Sequence, residues 1–243
     1  MEHRLRSRIR VKLSYHIRKI LSIFLNIKRE YRGSLIDGTI LIHPKVINLF
    51  LLIDQSLRFE IDSESKEKTR IIGSITGGLW DLFAFEVART IKYKSLLFRY
   101  KYCYPWSDTL QSYSTHMIIR DKGVARGQSF TYEDFEQNVL YKWDQLYAEI
   151  RTNGYKSAEE LGRPTTSNIE VAIGRTGRIY LVDGKHRLII AQLLNLDYVP
   201  VVVSVIHSKV YRKLQRMKRS DEVRIDDLKN FLKQKKIYRN QIL

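Results

Sequence analysis

Only one cysteine, Cys103, and four prolines occur in the 243 residues of this chain. A lone thiol cannot close an intramolecular disulfide or supply a multi-cysteine zinc site, so stability must come from an apolar core, and such usage fits a reducing compartment. Apolar runs are short as well. The longest, Val46 to Ile53, is interrupted at Asn48, whereas a bilayer-spanning helix needs roughly eighteen to twenty consecutive apolar residues. Acidic residues are scarce: 26 Asp and Glu stand against 43 Lys and Arg, a formal net charge of +17. Such an excess points to anionic partners, among them nucleotides, nucleic acid, anionic lipid and phosphorylated sugars. Long linkers, low-complexity tracts and internal repeats are missing too. With 44% hydrophobic residues, the chain is rich enough for a sizeable core, either one large domain or one domain with helical additions. These absences together give a cytoplasmic expectation, with a peripheral position at a membrane surface as the variant.

That variant comes from the N-terminus. Arginines at 4, 6, 8 and 10 precede Ile17, Ile20, Leu21 and Phe24, which share one helical face, with Arg18, Lys19 and Ser22 elsewhere. The interspersed charges do not suit a secretory signal. Residues 1–30 are therefore expected to form a basic amphipathic helix, whose stripe either packs on the protein's own core or lies on an anionic membrane.

Compact structure is expected over residues 31–207. Gly38 to Ile42 reads as a strand, Val46 to Ile53 as a buried strand or short helix, and Leu57 to Ile61 with Thr69 to Ile75 as paired strands. A helical insertion is expected over about 80–143, with Trp80 to Tyr104 helical and ending before Pro105. Phe135, Val139, Leu140, Trp143, Leu146, Tyr147 and Ile150 recur at helical spacing, giving a helix over 132–153 with Thr131 and Asp134 as its capping box. Residues 208–243 form a basic helical tail, broken or capped around Ser220-Asp221-Glu222.

The densest chemistry lies at Asp183-Gly184-Lys185-His186-Arg187. Ile169 to Ile173 and Ile179 to Val182 read as strands joined by the turn at 174–178, Leu188 to Leu194 as a short helix, and Val199 to Ile206 as a third strand. A glycine turn bearing three cations between strand and helix is suited to phosphate: helix-start amides point at the anion and the cations add charge-assisted hydrogen bonds. The bland alternative is a β-turn whose basic residues are solvated.

This strand, DGKHR turn, helix and strand resemble the ParB/sulfiredoxin superfamily, whose members carry GxHR or GERR-like turns at the same place. The likeness covers roughly residues 144–207 and includes the segment from Trp143 to Tyr155 as the preceding helix. A looser likeness, in Ile75 to Asp81 and Cys103 to Thr109, is to ParB-like proteins of surface-glycan gene neighbourhoods. The resemblance implies an α+β fold, a small mixed sheet flanked by helices with helical extensions at both ends, and a turn that binds nucleotide phosphates. Its branches include partition-protein CTPases, sulfiredoxins, free-serine kinases and proposed nucleases. Sulfiredoxins need a cysteine before the histidine of the turn, where this chain has Lys185, so thiolate chemistry is excluded. Partition proteins continue into a helix-turn-helix domain of about a hundred residues, whereas 36 residues follow His207, too few for that reading.

On that basis Gly184, Lys185, His186 and Arg187 are the expected nucleotide-binding residues, with ATP or another nucleotide and Mg²⁺ as cofactors. Asp183 is a candidate Mg²⁺ ligand or proton acceptor, or simply the cap of the next helix. Glu170 either faces solvent or faces the turn as general base or partner of His186; Arg187 could alternatively pin a carboxylate. Trp80 and Asp81 are candidate substrate contacts, by stacking and hydrogen bonding, or else a core tryptophan beside a capping aspartate. Tyr100, Tyr102, Tyr104 and Trp106 could stack on unpaired bases or be a tyrosine-rich helix end. The leading expectation is phosphoryl transfer from a nucleotide to a small hydroxyl compound such as a sugar or polyol. The alternatives are a nucleic-acid-binding or nuclease-like protein and a non-catalytic, membrane-apposed nucleotide sensor.

Overall fold

The computed structural model describes residues 28–31, 38–51, 59–61, 68–70, 73–122, 131–164, 167–220, 223–235, 238 and 241–242. Two compact units emerge, one from residues 1–85, 157–184 and 197–243, the other from residues 86–156 and 185–196.

The first unit is built on a mixed sheet. Its strands are β1 (Lys28–Tyr31), β2 (Thr39–Ile42), β3 (Leu49–Leu51), β6 (Ser74–Gly77), β7 (Ala84–Glu86), β8 (Ile169–Ile173), β9 (Ile179–Asp183) and β10 (Val199–His207). They run in the order β1-β6-β10-β8-β9-β3-β7, with β2 also on β10. β4 (Phe59–Ile61) and β5 (Lys68–Arg70) form a separate antiparallel pair. β10 is central: β8 lies parallel along it, while on its other edge β2 pairs antiparallel with its first half and β6 parallel with its end. Every residue of β10 is buried, which is why it reads as a mostly β-branched run and not as an alternation. Pro200 sits beside the strand entrance, where its missing N–H costs least. Two helices, α6 (Ser208–Lys218) and α7 (Ile225–Lys233), flank this sheet, α6 against β6 and β10 and α7 against β2. Val210, Tyr211 and Leu214 of α6 and Leu228, Phe231 and Leu232 of α7 are buried.

The second unit is helical, with α1 (Ile91–Lys101), α2 (Leu110–Lys122), α3 (Tyr132–Phe135), α4 (Tyr141–Asn153) and α5 (Lys185–Leu193). α1 packs against α2 and α5, and α4 against α5. Aromatic rings fill the interior: Tyr100 stacks on Tyr147 at 4.0 Å, and Trp106 meets Tyr100 at 6.0 Å and Trp143 at 5.7 Å, edge to face. The Tyr100 hydroxyl is pushed up chiefly by its burial, with Asp144 adding to the shift.

Several expectations need correction. No helix begins at Trp80: residues 80–82 are a 3₁₀ turn, 84–86 strand β7 and 87–89 another 3₁₀ turn, and α1 starts only after Thr90, whose hydroxyl accepts from the Tyr93 N–H as its N-cap. The expected strand over 69–75 divides between β5 and β6, which belong to different sheets. The helix over 132–153 has its capping box, Thr131 with Asp134, but is interrupted by a π turn over Glu136–Leu140. Residues 28–30, expected in the N-terminal helix, are part of β1, and residues 1–27, with the proposed membrane stripe, lie outside the described residues. The expected C-terminal helical tail contains α6 and α7, which are part of the first unit's packing. Among the described residues no helix is long and apolar enough to cross a membrane.

Candidate functional site

The β8–β9 hairpin turns through Gly174 to Arg178, and its geometry explains the segment Gly78 to Asp81. Asp81 Oδ2 accepts from the Arg175 backbone N–H at 2.7 Å and Oδ1 from Arg175 Nε at 2.8 Å, with Arg175 Nη2 2.6 Å from the same Oδ1. Arg175 Nη2 also donates to the Gly78 carbonyl, and the Tyr180 hydroxyl to the Asp81 carbonyl. A side chain at Gly174 would meet Tyr180 Cε2 at 2.6 Å and Asp81 Oδ2 at 2.9 Å, so glycine is required for this close approach.

Trp80 is fully buried and donates Nε1–H to the Thr76 carbonyl at 3.1 Å, with its ring against Tyr180 and His207. Trp80 thus packs in the core, and Asp81 anchors the hairpin instead of capping a helix. His207 N-caps α6 by accepting from the Lys209 N–H through Nδ1, which leaves Nε2 to donate to the Gly78 carbonyl at 3.0 Å. Burial lowers its proton affinity, against the opposing pull of that hydrogen bond.

β9 ends at Asp183, whose register partner across the hairpin is Glu170. Residues opposite each other on antiparallel strands share a face, so the two carboxylate-bearing positions lie on one side of the sheet. Glu170 is fully buried and does not face solvent, and its Oε2 accepts from the Ser204 hydroxyl at 3.3 Å. Gly184 follows with φ +83°, and a Cβ there would lie 3.0 Å from Ile169 Cα. Only glycine fits without strain.

Helix α5 starts at Lys185, earlier than the apolar pattern implies, so Lys185, His186 and Arg187 occupy its first turn. Within the second unit, the His186 ring lies 4.0 Å from the Trp143 ring, and the Lys92 ammonium stands 5.4 Å from the same indole. Arg187 lies beside the Tyr155 hydroxyl, whose pKa is raised by burial and partly restored by that guanidinium. Lys92, Trp143 and Tyr155 are thus brought to the basic turn by folding. Trp143 and Tyr155 fall in the stretch read as the preceding helix, but nothing in the spacing of Lys92 marks it.

Among the described residues no group of three or more His, Cys, Asp and Glu side chains could hold a metal by itself. Mg²⁺ commonly binds through one or two carboxylates plus substrate phosphates; Asp183, at the end of β9, is only partly buried, whereas Glu170 opposite it in register is fully buried. No protein-family model, curated protein or solved structure matches the chain.

Proposed function

We propose that the turn from Asp183 to Arg187 binds the phosphates of a nucleotide, and that the protein transfers a phosphoryl group to a small hydroxyl compound such as a sugar or polyol, of the kind used in surface-glycan assembly. The reading rests on the resemblance to the ParB/sulfiredoxin superfamily. The observation that supports it best is local: a strand enters a glycine at φ +83° and leaves as a helix whose first three residues are Lys185, His186 and Arg187. Such a turn offers backbone amides and the positive end of a helix to an anion.

In this reading the Gly184 backbone approaches the phosphates while Lys185 and Arg187 neutralise their charge. His186, its ring against Trp143, donates to a phosphate oxygen. Asp183 orients the acceptor hydroxyl or contributes to Mg²⁺ binding, and Glu170 is the second proposed proton acceptor. Bound Mg²⁺ would supply charge neutralisation between the phosphates. Phosphoryl transfer asks mainly for such positioning and cation placement.

The test is ATP and Mg²⁺ with a panel of sugars, polyols and serine, following phosphorylated product and, separately, nucleotide binding. Wild type should bind ATP. Arg187→Ala and Gly184→Ala should each weaken binding by about tenfold or more, since a charge-assisted phosphate contact or the required backbone conformation is lost. Absence of nucleotide binding by wild type, or unchanged turnover after Arg187→Ala and His186→Ala, overturns the reading.

A further inference from the structure

An open groove lies wholly within the helical unit, and no residue of the basic turn lines it. It has a volume of about 630 Å³ and is bounded by α1, the turn after it, the π turn and the start of α4, within the size range of small-ligand sites. One wall is rigid. Asp144 accepts from Arg99 Nη2 at 2.8 Å, from Arg99 Nε at 3.2 Å and from Trp106 Nε1 at 3.0 Å, which fixes the guanidinium plane and the indole together. The opposite wall carries Glu136 and Gln137 from the π turn and Tyr141 from α4, all three exposed, and Pro105 completes the lining. A π turn in an otherwise α-helical stretch is unfavourable by itself and recurs at functional sites.

We infer that this groove binds a neutral saccharide. Three properties of the lining select that chemistry. The Gln137 amide, the Tyr141 hydroxyl and the Arg99 guanidinium donate, while Glu136 and Gln137 accept, and sugar hydroxyls need both kinds of partner. Tyr141, 59% exposed, and Pro105 offer apolar faces to the C–H side of a pyranose ring. The charged lining is one guanidinium against two carboxylates, in a chain whose formal charge is +17, so the groove is locally unfavourable for anions where most of the chain favours them.

The groove stands apart from the proposed phosphate site. None of its lining residues belongs to the turn from Asp183 to Arg187. Saccharide binding to this lining therefore does not depend on phosphoryl transfer at the turn.

The test uses the full chain with methyl α-D-glucoside, methyl α-D-galactoside, methyl α-D-mannoside and N-acetyl-D-glucosamine, by saturation-transfer NMR and by intrinsic tryptophan fluorescence, to which Trp106 contributes beside Trp80 and Trp143. Saturable binding of at least one pyranoside is expected, about tenfold weaker in Tyr141→Ala and in Gln137→Ala. Both positions are exposed, so the variants should keep the wild-type Tm and ATP affinity, and Arg187→Ala should keep sugar binding. The inference is overturned if none of the four sugars binds, if Tyr141→Ala and Gln137→Ala bind as wild type, or if choline binds more tightly than every sugar and is lost in Glu136→Gln.

Discussion

His207 couples folding to pH because both of its ring nitrogens are committed. Nδ1 accepts from the Lys209 N–H and Nε2 faces the Gly78 carbonyl; protonation would turn the Nδ1 acceptor into a donor pointed at another donor. Buried among Trp80 and the backbone, with Arg175 and Lys209 opposing a positive charge and Asp81 favouring it, the ring has its pKa lowered from 6.5. A depressed folded-state value means that the unfolded chain binds the proton more readily. The neutral ring's contribution to stability is therefore present above about pH 6.5 and is lost as pH falls through the lower folded value. Urea unfolding at pH 7.5 and pH 5.5 should show lower stability at the acidic pH, and His207→Asn, which keeps an N-capping side chain, should reduce that difference. At this scale the sequence was informative about residue type and much less about surroundings. The motif around Gly184 was legible because a glycine between strand and helix has few uses. The burial of Glu170 was not, because strand β8 is covered on both faces and the alternation that would place a carboxylate in water does not apply.

At the level of elements, the ion pair between Asp81 and Arg175 joins the segment after β6 to the hairpin between β8 and β9. Its side chains are 2% and 19% exposed, so each depends on the other for the loss of water. Removing one partner of a buried pair typically costs about 3–5 kcal/mol, whereas replacing both by apolar residues is often near neutral. Arg175→Met alone should thus lower the denaturation midpoint sharply. The double variant Asp81→Leu/Arg175→Met should recover only part of the loss, because the Arg175 backbone N–H, which donates to Asp81 at 2.7 Å, is left without that acceptor at a cost of about 1–3 kcal/mol. Chemical denaturation of the three proteins checks this; full recovery would show that the backbone hydrogen bond is immaterial. Elements supported by local signals were readable: β8, β9 and β10 from β-branched runs, and the start of α3 from its capping box. The late start of α1, after Thr90, has a physical cause. Leu82, Phe83, Phe85 and Val87 mimic helical spacing, but the chain there is held extended by β7 in the sheet and by the Asp81 anchor, both of which are long-range in sequence.

Over the whole molecule, the excess of cations is the property most legible in composition, yet composition does not say where they gather. Lys209, Arg212, Lys213 and Arg216 fall at i, i+3, i+4 and i+7 of α6, all exposed, while Val210, Tyr211 and Leu214 hold the opposite face in the core. Because that apolar face is already used, α6 cannot insert into a membrane interface, and its cationic ridge can act only through electrostatics. The unit boundaries were equally hidden, since the chain passes from one unit to the other between Gly184 and Lys185 without any Gly/Pro-rich linker. The ridge separates the two readings of the charge. Non-specific duplex DNA binding that relies on it should weaken by orders of magnitude between 50 and 200 mM salt, as counterions released from the phosphates are returned, and should be abolished by combining Lys209→Glu, Arg212→Glu, Lys213→Glu and Arg216→Glu. ATP affinity should change far less with salt and survive that charge reversal, because the nucleotide reading places its phosphates at Gly184 to Arg187. Fluorescence anisotropy with labelled DNA and with labelled ATP, on the same two proteins, checks both halves. Loss of ATP binding in the α6 variant, with folding intact, would show that the nucleotide is held by diffuse charge and not by the turn.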